Sequence, residues 1–293
     1  MTARSTSPFA FFRNFIPQRF RRDIAVVPVV RLNGVIGAAV PLRPGLTLQG
    51  VARTLERAFS VRGARAVALI VNSPGGSPAQ SHLIYRRIRE LADEKKLSVL
   101  IFIEDVGASG GYMLACAGDE IIADTFSIVG SIGVVGGSFG FPELMKKLGV
   151  ERRVYTAGER KVTLDPFLPE KPDDVKRIKA IQKDIHEHFI ALVKERRGGK
   201  LNGADKTLFS GEFWTASSAR DLGLIDQIGD LRSVLRARYG EKVRTPVISG
   251  ERRLFGLRLP GSSMIERFAQ EGGLTADAIS AVEARAIWAR FGL

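Results

Sequence analysis

Few residue types in this chain of 293 residues are spaced for covalent chemistry, and the sharpest candidate is a serine. The run Asp105-Val106-Gly107-Ala108-Ser109-Gly110-Gly111-Tyr112 follows the apolar stretch Ser98–Ile103 and opens a helix-like run, Tyr112–Ala117. A serine at a strand-to-helix turn is exposed beside a helix N-terminus, where developing negative charge is favoured. Flanking glycines permit tight backbone geometry and close approach of a substrate. That is the logic of a nucleophile elbow, although the spelling is not G-x-S-x-G. Taken alone, a plain serine N-cap on a Gly-rich turn is the simpler reading. A second Gly-rich turn is Asn72-Ser73-Pro74-Gly75-Gly76, which ends the apolar run Ala66–Val71. Consecutive glycines between a strand and a helix can present N–H groups to an oxyanion or a phosphate. The Lys-Ser/Thr ending of a phosphate-binding P-loop is absent, and an ordinary βα turn again suffices.

A nucleophilic Ser109 needs a base. The chain has three histidines, His82, His186 and His188. His82 lies among polar residues. His186 and His188 are two apart on a predicted helix, so they face different ways and cannot share a metal. All three read as solvated or packing residues. A lysine can serve instead when burial lowers its pKa from about 10.4. Lys161 follows the turn Ala157-Gly158-Glu159-Arg160 and precedes Val162-Thr163-Leu164, so apolar neighbours could desolvate it. Without further information a surface lysine near a turn is the better reading. The single cysteine, Cys116, excludes an intramolecular disulfide and a multi-cysteine zinc site.

The elements that must position these residues are short and apolar. Ile24–Val30, Ala66–Val71, Ser98–Ile103 and Glu120–Ala123 read as buried strands. Residues 46–59 have helical spacing, and Ser77 caps a helix that starts at Pro78. Strands alternating with helices predict a parallel α/β sheet covered on both faces. Beyond 145, Arg152–Thr156 reads as a strand. Residues 172–194 read as a long helix with the stripe Val175, Ile178, Ile181, Ile185, Phe189 and Leu192, a core or subunit face. Residues 215–238 read as helical, broken at Gly223-Leu224-Ile225-Asp226 and at Gly229. A last amphipathic helix is expected over 275–290. Residues 125–142 carry no charge but hold five glycines, which describes a folded turn region rather than a membrane span.

The turn at 72–76, Gly107–Tyr112, the stretch Val129-Gly130-Ser131-Ile132-Gly133-Val134-Val135 and the segment Tyr155–Lys161 together resemble the bacterial signal peptide peptidase A (protease IV) family, in its short single-repeat form. The resemblance runs from Ile24 to about Val234 and includes Gly223–Asp226. It implies a Clp-protease/crotonase-like α/β fold, a parallel sheet with flanking helices, and a serine peptidase that uses a Ser/Lys dyad. On the matching positions it implies Ser109 as nucleophile and Lys161 as general base. Ser131 would orient the lysine ammonium, and the N–H groups of Gly76 and Gly110 would form the oxyanion hole. It also implies no metal or organic cofactor, hydrophobic peptides such as cleaved signal peptides as substrates, and a homo-oligomer whose sites are shared between subunits. Two departures stand out. The N-terminal membrane anchor common in short members is not seen, and Gly158-Glu159-Arg160 is more charged than the family's usual approach to the lysine.

Two other functions fit parts of the sequence. A crotonase-type acyl-CoA enzyme shares the fold and would use carboxylates such as Glu104 and Asp105. A non-catalytic scaffold would not need Ser109, Ser131 and Lys161 together. The formal charge of +13 raises nucleic acid as a partner. The excess, however, lies at the ends. Residues 1–22 hold five arginines, five phenylalanines and no acid, and residues 231–260 hold eight basic residues against two acids. The expected organisation is a basic aromatic extension over 1–22, a peptidase domain over 23–238, and a basic C-terminal extension over 239–293 ending in a helix. No nucleic-acid partner is expected, because no RNA or helix-turn-helix motif accompanies the charge. The basic ends suit peripheral contact with an anionic membrane. The expected location is bacterial, cytoplasmic or peripheral on the inner membrane.

Overall fold

The computed structural model describes residues 24–37, 45–158, 160–249, 282 and 285–293, together with the backbone of 253–254 and 257–258. Five parallel strands form the body in the order β1 (Val29–Asn33), β2 (Ala66–Ser73), β3 (Ser98–Ala108), β4 (Glu120–Ala123) and β7 (Gln227–Ile228). The central strands are apolar on both faces, as expected for a sheet covered on both sides. On one face Val67, Leu69, Val71, Val99, Ile101 and Ile103 pack with helices α1 (Leu48–Phe59), α2 (Pro78–Lys95), α3 (Gly110–Ala115) and α5 (Pro172–Arg197). On the other face Ala68, Ile70, Leu100, Phe102 and Ile122 pack against Leu235 of α8 (Leu231–Tyr239).

The long strand β3 is where the sheet divides. Its first half, Leu100–Ile103, pairs with β4. Its second half, Val106–Ala108, pairs with β5 (Ile128–Gly130), which in turn takes β6 (Phe213–Thr215) antiparallel. A register shift between Val71 and Ser73 of β2 accompanies the bend, since Ser73 stands opposite Gly107. The extra residues re-aim the end of β3 out of the main sheet, which is what a bulge does. Ser109 is the next residue.

Several sequence expectations change. The strand expected at Ile24–Val30 starts its ladder at Val29; Val26 makes isolated bridges only, and Pro28 between them has no N–H to donate. The helical stretch expected over 215–238 is two helices, α7 (Ala216–Asp221) and α8, with β7 inserted at the predicted break. Arg152–Thr156 is not a strand; it is irregular and exposed, with no neighbouring strand to complete a ladder. Residues 243–248, assigned in sequence to the C-terminal extension, run along β1. Val27 and Val29 donate to Arg244 and Pro246 at 2.8 and 2.9 Å. Of the helix expected over 275–290, residues 285–289 are helical, and 275–281 and 283–284 lie outside the described residues, as do 1–22.

Candidate active site

Ser109 sits between β3 and α3 with φ 52° and ψ −122°. A non-glycine residue there is strained by roughly 1–3 kcal/mol and persists only where its surroundings dictate it. Here they do. Its N–H donates to Gly130 O at 2.8 Å, and its C=O accepts from Met113 N at 3.0 Å. All six residues of α3 are buried. The Tyr112 hydroxyl, wholly buried, donates to Leu224 O at 2.7 Å. The Ser109 side chain makes no capping hydrogen bond, so the plain N-cap reading is set aside. Among the described residues its Oγ has no hydrogen-bond partner and stays free to react.

The turn after β2 meets it from the side. Gly75 has φ 104°, and a Cβ there would stand 2.7 Å from Ser109 Cβ and 2.9 Å from Gly110 N. Gly76 has φ 139°, and its Cβ would stand 2.2 Å from Ile36 O. Only glycine fits either place. Ile36 donates to Gly75 O and accepts from Ser77 N, both at 2.8 Å, so the ladder passes over Gly76. In a parallel bridge the skipped residue turns its own N–H to the opposite side. Among the described residues the N–H groups of Gly76 and Gly110 have no acceptor, and both residues line one small pocket with Ser109. Met113, Gly133, Val134, Ile185 and Phe189 are among the other residues lining it.

Ser131 stands where the register of β3 and β5 puts it, one step beyond the Ala108–Gly130 pair and hence beside Ser109. It too is strained, with φ 52°, and is 5% exposed, its N–H held by Glu212 O at 2.6 Å. Lys161 is not brought to this pocket within one chain. It is exposed, on the irregular segment between α4 (Pro142–Leu148) and α5. The apolar cover expected from Val162–Leu164 is partial, since those residues are half-buried. Arg152 pairs with Asp165 and lies over the ring of Phe167, which stacks on Phe141. That folds the segment onto itself rather than onto Ser109.

The other candidates are elsewhere. Glu104 pairs with Arg31 at 2.9 Å, and Asp105 accepts from Asn72 at 2.5 Å. Both line a separate open groove of about 500 Å³, not the Ser109 pocket, so no carboxylate faces Ser109 from that turn. Burial pushes the Cys116 thiol up to about 12, which leaves it inert. His82 and His188 are exposed. His186 is half-buried and bonds the carbonyl of Ile132. Among the described residues no group of three or more His, Cys, Asp or Glu could hold a metal ion, and no helix is long and apolar enough to cross a membrane.

Of the stripe expected on the long helix, Phe189 and Leu192 are buried and Ile181 is exposed, so the core takes only its C-terminal part. Ile185 and Phe189 of that stripe are pocket walls.

A split parallel sheet that delivers a strained serine to the start of a buried helix, beside an N–H-presenting glycine turn, belongs to the Clp-protease/crotonase-like class of α/β folds. The model of peptidase family S49 matches residues 91–243, more than half of the chain, and the chain belongs to that family. Its relatives include the serine protease SPPA of Arabidopsis thaliana chloroplasts, 30% identical over 60% of this chain and 26% of that protein. The "Probable protease SohB" of Buchnera aphidicola is 33% identical over 60% of this chain and 51% of that one. A Brucella abortus protein named Na(+)/H(+) antiporter NhaA is 56% identical over 99% of this chain. The chain spans only 40% of that longer protein.

Proposed function

We propose that this family S49 chain is a serine endopeptidase of the signal peptide peptidase A type, in which Ser109 attacks and Lys161 is the base. The observation that carries this reading is the convergence of an unbonded, strained Ser109 with two unpaired N–H groups, Gly76 and Gly110, on one pocket. Lys161 in its free-amine form takes the proton of Ser109 Oγ, which attacks the peptide carbonyl. The oxyanion forms against Gly76 and Gly110, where loss of one donor typically costs about 2.7–4 kcal/mol. Lys161 then protonates the leaving amine, and water releases the acyl group. Ser131 orients the ammonium. The apolar walls Met113, Val134, Ile185 and Phe189 suit hydrophobic peptides, among them cleaved signal peptides.

A single chain keeps Lys161 away from Ser109, so the same reading requires a second copy to supply it. The surface around Lys161 favours that partner. No residue of α4 is buried, and Val135, Phe139, Leu148 and Tyr155 are 72%, 77%, 67% and 89% exposed. Large apolar side chains exposed to this degree suit an interface. The antiport of the Brucella protein falls, in this reading, to the larger part of that protein outside the match. The basic segment 1–22 remains our candidate for contact with an anionic membrane; its deletion should weaken binding to anionic liposomes. The test of the peptidase reading is fluorophosphonate labelling alongside native mass. Wild type should be labelled on Ser109 and run as an oligomer, whereas an unlabelled wild type, or a labelled and active monomer, refutes the respective half.

A further inference from the structure

Helix α5 does two things beside the pocket. Ile185 and Phe189, four apart and therefore on one face, form part of its wall. His186, next to Ile185, turns instead to the chain segment that supplies another part of the wall. Its Nε2 lies 3.1 Å from Ile132 O. A carbonyl brings no proton, so the imidazole is the donor. One turn earlier Gln182 lies close to the same segment, since a Cβ on Gly136 would stand 2.9 Å from its Nε2.

That segment is fixed at its start, where the Ile132 side chain is wholly buried in the core, and more loosely beyond it. Ser131 N–H is fixed by Glu212 O, and Gly133 touches Gly211. Among the described residues no backbone–backbone hydrogen bond involves residues 132–137. Yet Gly133 and Val134, immediately after Ile132, line the same pocket as Ile185 and Phe189. The helix, by contrast, is anchored independently. Phe189, Leu192 and Val193 are in the core, and Arg197 at its end is clamped to Asp226 at 2.9 Å. His186 thus ties a rigid helix to the start of a wall that is loosely bonded beyond Ile132. The pocket between them offers only about 20 Å³, little more than one water needs.

We propose that His186 is a positioning residue that fixes the width of the pocket beside Ser109, so that the pocket admits only a small side chain, of alanine or serine size, next to the bond that is cut. This rests on the serine peptidase reading above. The experiment measures kcat and KM for two matched peptides, with Ala or Leu on the N-terminal side of the scissile bond. The enzymes are wild type, His186→Phe, His186→Leu and His186→Gln. Wild type should prefer Ala by roughly 10-fold or more, in line with what a few methylenes decide in an apolar pocket. His186→Phe keeps the ring but loses the donor, and should erase most of that preference, chiefly through KM for the Leu peptide. His186→Leu is the second donor-free variant should the first fail to fold. His186→Gln, whose amide nitrogen can take the place of Nε2, should restore the preference. Fluorophosphonate labelling of Ser109 runs in parallel and reports whether each variant is folded around its nucleophile. A labelled donor-free variant with wild-type preference overturns the inference alone, as does a wild type that prefers Leu. A wild type that is neither labelled nor active overturns the serine peptidase reading and this inference with it.

Discussion

Two Gly-rich strand-to-helix turns lie side by side in this molecule, and they are held by opposite means. After β2, Ser77 accepts a hydrogen bond from Gln80 N at 3.4 Å and Pro78 opens α2, so the helix start is fixed locally. After β3, Ser109 occupies the same position before α3 but caps nothing. Its helix has six residues, too few to stand alone, and is fixed by burial and by the bond from Tyr112 to Leu224. The lesson is a division of labour. A serine whose oxygen stabilises its own helix is not free to react; where tertiary contacts take over the capping task, the oxygen is released and the backbone can carry strain.

The largest effects should come from the second turn. Ser109→Ala removes the proposed nucleophile and should lower peptide hydrolysis by at least about a thousandfold, with thermal unfolding unchanged or improved because alanine leaves no unpaired hydroxyl. Lys161→Ala should do the same without disturbing the fold, since the side chain is exposed in a single chain. Normal turnover in either variant breaks the contrast between a working serine and a structural one. Gly75→Ala tests the seam between the turns. Its Cβ would press on Ser109 Cβ and Gly110 N, so both activity and stability should fall, the latter by about 1–3 kcal/mol in a denaturant titration.

The support of the second turn can be weakened from a distance. Leu224, which holds Tyr112, belongs to the turn Gly223–Asp226. Arg197 donates to Gly223 O at 2.9 Å and to both oxygens of Asp226, and Asp226 also accepts from Ile121 N at 2.7 Å. Burial opposes the charge on Asp226, but hydrogen bonds from Arg197 and Lys200 outweigh it and hold the carboxyl below its ordinary range. A lowered folded pKa stabilises the protein above the unfolded value of about 3.9, and that contribution is lost as pH falls through the folded pKa. Asp226→Ala strands a guanidinium that is 3% exposed and should cost about 3–5 kcal/mol near neutral pH, with a flattened acid limb in the stability profile. Calorimetry from pH 7 downward measures both. An unchanged limb would mean the turn is held by packing alone.

The sequence made the scaffold legible and the site half-legible, for physical reasons. Continuous apolar runs such as Ala66–Val71 leave few choices but a strand buried on both faces, and Ser77-Pro78 is a local signal because a cap acts within three residues. Ser109 gave an ambiguous signal because the same spelling serves a cap and a nucleophile; only the unused side chain in the folded chain separates them. The short strands β5 and β6 were missed because three residues carry no period, and their pairing is set by partners 85 residues apart in the chain, Ile128 with Thr215 and Gly130 with Phe213 spanning the range around it. Lys161 was named from its neighbours and the resemblance, but nothing local said that one chain leaves it exposed and away from the Ser109 pocket. The contact of His186 was out of reach, because its acceptor, Ile132 O, is 54 positions away.

The smallest predicted effect lies in the first turn, and it is the sharpest control on the comparison. Ser77→Ala removes one capping acceptor at a partly buried helix start, which typically costs about 1 kcal/mol. The long donor–acceptor distance of 3.4 Å places it at the lower end. Pro78 at the first helical position and the buried face of α2, with Ile84, Ile88 and Leu91, remain in place. The backbone N–H of residue 77 still donates to Ile36 O, so Gly76 keeps its orientation toward the pocket. Thermal unfolding should therefore move by a few degrees at most, while kcat and fluorophosphonate labelling of Ser109 stay within about twofold of wild type. A large loss of labelling in Ser77→Ala would mean that the side chain of Ser77 also sets the neighbouring oxyanion turn, and that the two turns are one cooperative unit rather than a structural cap beside a reactive elbow.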